Sequence, residues 1–174
     1  MSSGALHHCL FETAFGVAAI LFEGNHSVRR ILLPGDARQA TEKRTKPYSP
    51  AGGVLPPEIQ SLSRGIQAYF MGQPVDFSLT PLDFGNLTVL EQQVLHAVSL
   101  VGYRQTKTYG EIAKQIGRPM AYRFVGNTLA NNPFPVVIPC HRIIRADGSL
   151  GGFGGGTDLK ERMLAMEHTV RRRQ

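Results

Sequence analysis

The sequence predicts an α/β protein in two parts, a small antiparallel sheet with a helix followed by a mostly helical half that contains a helix–turn–helix. Three observations lead there. Runs of strand-forming residues with turn residues between them fill the chain before position 34. Beyond position 87, Thr88-Val89-Leu90-Glu91 and Thr108-Tyr109-Gly110-Glu111 each have the spacing of a helix capping box and precede apolar residues at helical intervals. A chain of 174 residues, 42% of them hydrophobic, can also bury one good core or two small ones.

Residues 6–13, 17–23 and 28–33 are the strand candidates, and Gly24-Asn25 supplies a turn between the last two, so a meander is expected. Residues 34–57 are rich in Pro, Gly, Thr and charge without periodicity and read as a long surface connection. Ile59, Leu62, Ile66 and Tyr69 or Phe70 then share one helical face, and Gly72 stops that helix. After a second connection, residues 73–87, the Thr88 cap opens a long helix with Leu90, Val94, Ala97, Val98 and Val101 along one side. The Thr108 cap opens a short helix ending at Gly117, and Pro119 prepares another that runs to about Ala130. The division falls into residues 1–85 and 86–174.

No apolar run is long enough to span a membrane, and the first ten residues lack the pattern of a secretory leader. A soluble, monomeric protein is expected, cytoplasmic or else in the nucleoid or nucleus. The two cysteines, Cys9 and Cys140, have neither disulfide-framework nor metal-ligand spacing. His7, His8, Cys9 and His26 fit no standard zinc site, so neither metal nor cofactor is expected. A formal charge of +6, to which Arg171, Arg172 and Arg173 contribute, favours a polyanionic partner through counterion release.

The second helix of the pair contains no Asp or Glu between Met120 and Ala130. Val125 and Leu129 mark its inner stripe, while Arg123, Asn127 and Ala130 form a narrow outer row able to approach a phosphate backbone. Downstream, in residues 131–144, Cys140 lies between an apolar run bounded by Pro135 and Pro139 and the basic residues His141 and Arg142. Thiolate is the reactive form of cysteine and an adjacent histidine is a base at neutral pH. A Cys-His pair alone fits a protease or an acyltransferase equally well.

The run Pro139-Cys140-His141-Arg142, preceded by Asn132-Pro133 and by a helix bearing Arg123, resembles the signature of the O6-alkylguanine-DNA alkyltransferases, the methylated-DNA-protein-cysteine methyltransferases. The likeness extends without gaps over residues 88–167; the first half agrees only in length and element order. The resemblance implies a ribonuclease H-like first part and a winged-helix-like second part. It also implies one irreversible transfer per molecule of an alkyl group from O6 of guanine, or O4 of thymine, in double-stranded DNA to Cys140.

In that family pattern His141 takes the thiol proton through a water, Glu167 polarises the imidazole, Tyr109 donates to the leaving guanine and Asn132 braces the turn. Glu167 also follows Leu159 and Met163 at four-residue steps, which puts it on their inward row. The resemblance makes Arg123 the residue that fills the space left by the extruded nucleotide, on a helix entering the minor groove, with Thr108, Tyr109, Ala121, Asn127 and Ala130 as further DNA contacts. Pro135, Ile143, Phe153, Gly154 and Gly155 would surround the flipped base. The carbonyls of Cys140 and Ile143 and the amide of Gly154 would read its edge.

Several positions depart from the pattern. Ala130 stands where an arginine is frequent, Arg104 where glycine is usual, and Phe153 in place of tyrosine; Val89 and Leu95 replace larger aromatics. Arg104 is expected to offset the phosphate contact missing at Ala130. Three rival functions remain: a regulator that uses Cys140 as a sensor, a lesion binder without chemistry, from which Cys140 departs, and a Cys-His hydrolase that would turn over repeatedly.

Overall fold

The computed structural model describes residues 5–24, 26–35 and 38–169. Asn25 of the expected turn and the arginines at 171–173 lie outside the described residues. Two compact units are present, Met1–Asp83 and Phe84–Gln174.

The first unit is organised by β2 (Gly16–Glu23), in which Val17 to Phe22 are all buried. A continuous apolar run suits a central strand with both faces covered. It pairs antiparallel with β1 (Leu6–Thr13) and β3 (Ser27–Leu32), giving the expected meander. β4 (Ser49–Pro50) adds parallel to β1, so the sheet order is β3-β2-β1-β4. Proline lacks a ladder donor, which confines this strand to an edge.

Residues 34–57 are not the plain connection expected of them, because α1 (Arg38–Thr45) lies within them. Its buried residues are Thr41 and Thr45, and Thr41 Oγ1 donates to the Val17 carbonyl at 2.9 Å. A helix anchored by two threonines has no apolar stripe to betray it. α2 (Pro57–Phe70) carries the predicted face, with Ile59, Leu62, Ile66, Tyr69 and Phe70 buried. Among the described residues no group of three or more His, Cys, Asp or Glu side chains lies close enough to hold a metal ion. No described helix is long and apolar enough to cross a membrane.

In the second unit, Thr88 caps α3 (Val89–Ser99) and Thr108 caps α4 (Tyr109–Gln115), each through a complete capping box with Glu91 or Glu111. Each box satisfies donors that a helix start leaves over. α5 (Tyr122–Ala130) buries Val125, Thr128 and Leu129 and starts three residues after Pro119, the intervening turn being closed by Ala121 N–H donating to the Arg118 carbonyl. A 3-10 turn (Cys140–Arg142) follows, then β6 (Ile143–Ile144), which pairs parallel with β5 (Lys107–Thr108) just before α4. α6 (Thr157–Thr169) closes the unit with Leu159, Lys160, Met163 and Glu167 buried.

Candidate active site

The backbone before Cys140 is tightly determined. Pro139 has φ −79° and ψ 63°, and Cys140 N–H donates to the Ile138 carbonyl at 2.8 Å, an inverse γ-turn centred on a residue whose ring already fixes φ. Val136 has φ 75°, a left-handed conformation that is costly for a β-branched residue, and it is buried. This short loop therefore holds strain that its surroundings sustain. Asn132 spans it: the amide Nδ2 donates to the Ile138 carbonyl at 3.0 Å and lies 3.1 Å from Cys140 Sγ, while Oδ1 accepts from Phe134 N–H at 2.9 Å.

Cys140 is only 5% exposed, and burial pushes its thiol up from the ordinary value. Opposing this are the Asn132 amide, the positive charge of Lys160 and nearby backbone N–H groups. All of these favour the thiolate, whose formation burial otherwise penalises.

His141 and Glu167 are both completely buried, with Nε2 and Oε1 2.8 Å apart. An ionised carboxylate at this distance fixes the imidazole proton on Nε2 and leaves the basic lone pair on Nδ1. Burial pulls the His141 pKa down against the raising effect of Glu167, so the ring rests neutral. Glu167 is penalised by burial too, but His141 and Arg142 outweigh that and hold its carboxyl at about 2. Arg142 grips Glu167 through Nε at 3.1 and 3.2 Å and through Nη2 at 3.0 Å, with Nη1 on the Val101 carbonyl at 2.7 Å. The Arg104 backbone N–H also donates, at 2.9 Å from Oε2.

That last bond places Arg104 at φ 64°. Its guanidinium reaches the His168 carbonyl at 3.4 Å, at the C-terminal end of α6. Replacing Arg104 by Gly retains the N–H and removes the left-handed penalty; we expect stability to rise by about 0.5–1 kcal/mol, read as a higher urea midpoint at unchanged slope.

Tyr109, the first residue of α4, is half-buried, with Oη 3.4 Å from the Gly152 carbonyl. A Cβ added at Gly151, whose φ is 69°, would lie 2.7 Å from that oxygen, so this glycine is needed for close approach. Burial first, and then the neighbouring Cys140 charge, push the phenol up, which keeps its proton available for donation. Lys160 Nζ is 6.0 Å from the Tyr109 ring centroid.

Lys160 is the residue that sequence reasoning missed. Fully buried, it donates through Nζ to the carbonyls of Ile143, at 2.6 Å, and Leu150. Burial lowers its pKa to about 8. The signal was present, since Lys160, Met163 and Glu167 lie at i, i+3 and i+7 on the inward stripe of α6. Arg142, too, was read only as part of the motif, whereas it supplies most of the bonds to Glu167.

Of the other expected site residues, Pro135 and Ile143 are buried and Phe153 is half-buried, its ring edge-on to His141 at 6.4 Å. Gly154 and Gly155 are exposed. The Cys140 carbonyl accepts from Ile143 N–H and the Ile143 carbonyl from Lys160, so a base edge would share each acceptor through its second lone pair. On the helix pair, Arg123, Asn127 and Ala130 are exposed and Ala121 is half-buried at the N-cap of α5. Thr108 Oγ1 is engaged with Glu111.

A buried thiol beside a histidine–carboxylate couple has the parts of a thiol nucleophile, and a helix–turn–helix with an acid-free outer helix suits an anionic partner. Comparisons with known proteins agree. The family description "6-O-methylguanine DNA methyltransferase, DNA binding domain" matches residues 89–169. The methylated-DNA–protein-cysteine methyltransferase of Methanothermobacter thermautotrophicus is 45% identical over 112 residues, 64% of this chain and 62% of that protein, so the match spans a little under two thirds of that relative. The protein of the same name from Mycobacterium tuberculosis is 37% identical over 162 residues, 93% of this chain and 92% of the relative.

Solved structures extend the likeness to both units. The crystal structure of Mycobacterium tuberculosis O6-methylguanine methyltransferase superposes with a TM-score of 0.78 at 28% identity, covering 97% of this chain and 96% of that one. That of Mycobacterium tuberculosis OGT in complex with DNA gives 0.75 at 30% identity, covering 92% of each chain. The chain belongs to the methylated-DNA–protein-cysteine methyltransferase family.

Proposed function

We propose that the protein repairs O6-alkylguanine in duplex DNA by accepting the alkyl group on Cys140 Sγ, once per molecule, and that it treats O4-alkylthymine in the same way. Membership of the family supports this reading of a DNA-repair alkyltransferase with DNA as its partner. The observation that carries the assignment of residues is the buried Cys140 thiol, followed directly by a His141 held 2.8 Å from Glu167.

The thiol proton passes through a bridging water to His141 Nδ1, and Glu167 stabilises the imidazolium that forms. Asn132 and Lys160 hold the resulting thiolate. Sulfur attacks the alkyl carbon, the S–C bond forms as the C–O6 bond breaks, and the electron pair leaves with the guanine. Tyr109 Oη donates its proton to that leaving base and is reprotonated by the His141 imidazolium through solvent, so the net movement is one proton from thiol to guanine. The product is a thioether, which has no ready route back to thiol.

The lesion reaches the pocket only by rotating out of the stack, at a cost of a few kcal/mol. Arg123 fills the space it vacates from the minor-groove side, and Ala121, Asn127 and Ala130 allow α5 to approach the backbone. Pro135, Ile143, Phe153, Gly154 and Gly155 enclose the base. The protein works as a monomer wherever the DNA is, in the cytoplasm, nucleoid or nucleus.

Intact-mass measurement after incubation with a duplex carrying O6-methylguanine tests the reading. We expect a single added methyl group on Cys140, unmodified guanine in the DNA, and no adduct on Cys140→Ser. More than one equivalent of lesion repaired per protein would overturn it and favour a turning-over hydrolase.

A further inference from the structure

The first residue of α5 is Tyr122, a large aromatic side chain that is 44% exposed on a helix whose next residue is the exposed Arg123. Met120, two residues before the helix, is 83% exposed. These two exposed apolar side chains offer contact area at one helix start, and the charges nearby indicate the chemistry of a ligand that would use it. Between Glu111 and Asp147 the sequence has no acidic residue, while Lys114, Arg118 and Arg123 are exposed cations. A polyanion that also offers flat apolar faces meets both conditions, and duplex DNA opened at one base pair is such a ligand.

The geometry joins Tyr122 to Arg123. The guanidinium carbon is 5.9 Å from the Tyr122 ring centroid, within the range in which a cation and a ring face attract each other. The buried stripe of α5 is Val125, Thr128 and Leu129, and Tyr122 is not part of it. A long flexible arginine backed by an aromatic plane loses less rotamer freedom when it enters the base stack.

We propose that Tyr122 and Arg123 enter the opened duplex as a stacked pair, the guanidinium occupying the place of the extruded nucleotide and the phenol ring serving as a platform for the base opposite the lesion. This rests on Arg123 being the residue that fills that place, and it adds a second, aromatic component on the neighbouring residue. Tyr122 thus acts in selecting and holding open DNA, not in the transfer step.

The test compares Tyr122→Ala, Tyr122→Phe and Arg123→Ala with the unaltered protein. Single-turnover rates are measured on a duplex carrying O6-methylguanine opposite the fluorescent base pyrrolocytosine, and on free O6-benzylguanine. Base–aromatic stacking is lost in Tyr122→Ala, so the ratio of duplex rate to free-base rate falls on the order of tenfold. Pyrrolocytosine also brightens in that complex as it loses its stacking partner. Tyr122→Phe, which keeps the ring, retains both the ratio and the quenching.

If Arg123→Ala lowers the ratio while Tyr122→Ala changes neither ratio nor fluorescence, the platform is disproved and the arginine reading stands. If Arg123→Ala leaves the ratio intact, the arginine reading fails and takes the platform with it.

Discussion

Replacing Glu167 by Gln should destabilise the protein by about 3–5 kcal/mol and abolish rapid alkyl transfer, although the side chain's shape hardly changes. Glu167 is completely buried and accepts from His141, from Arg142 and from the Arg104 backbone. A neutral amide leaves the Arg142 guanidinium, itself only 8% exposed, without a counter-charge, and turns an NH2 group towards one of these donors. Loss of the carboxylate also removes the group that fixes the His141 proton on Nε2 and stabilises the imidazolium.

The pH dependence identifies the cause. The Glu167 carboxyl titrates at about 2 in the folded protein against 4.5 ordinarily, so between these values the unfolded chain binds the extra proton and stability rises with pH. The contribution is complete above about pH 5 and is lost as pH falls through about 2. Buried neutral His141, with its lowered pKa, adds a loss in the same direction below its ordinary 6.5. Urea unfolding between pH 7 and pH 3 should therefore show the two proteins converging as pH falls. A difference that is constant with pH would mean that charge is not what Glu167 contributes.

Lys160→Met is expected to slow alkylation of Cys140 by about tenfold at neutral pH, because less of the thiol is ionised. The cation is buried, bonded to the Ile143 and Leu150 carbonyls, and its charge is among the influences that favour the thiolate. Without it the thiol titrates higher and less thiolate is present. Iodoacetamide alkylation followed against pH reads this directly, as a shift of the Cys140 profile to higher pH; an unmoved profile would remove Lys160 from the electrostatics of the site.

Stability gives a second signature for Lys160. Its folded pKa of about 8 lies below the ordinary 10.5, so across that window the unfolded chain holds a proton that the folded one has released, and stability rises with pH. The unaltered protein should show this alkaline gain and Lys160→Met should lack it.

The parts of this fold that the sequence disclosed are those with an apolar or capping pattern. β1, β2 and β3, the α2 face and the two capping boxes all follow from residues whose periodicity or spacing has one structural meaning. α1 was missed because Thr41 and Thr45 do the anchoring that apolar residues do elsewhere, and β4 because a two-residue edge containing proline carries no pattern. Glu167 could be placed on an inward row by its spacing from Leu159 and Met163. Lys160 lies on the same stripe, but a lysine is so rarely buried that spacing alone does not mark it as an inward residue. Which atom each polar group bonds was not legible at all: that Arg142, and not His141 alone, secures Glu167 depends on how the 3-10 turn and α6 meet.

That turn has a geometric consequence. With about three residues per turn, consecutive side chains leave the backbone roughly 120° apart. Cys140, His141 and Arg142 therefore radiate like spokes, the sulfur to one side and the imidazole and guanidinium towards α6. Neighbours in the primary structure are thus kept from touching, and a proton leaving the first spoke needs a stepping stone to reach the second. Had these three residues continued an extended strand, sulfur and guanidinium would share a face, and the acid on α6 could not serve both of its basic partners from a single seat.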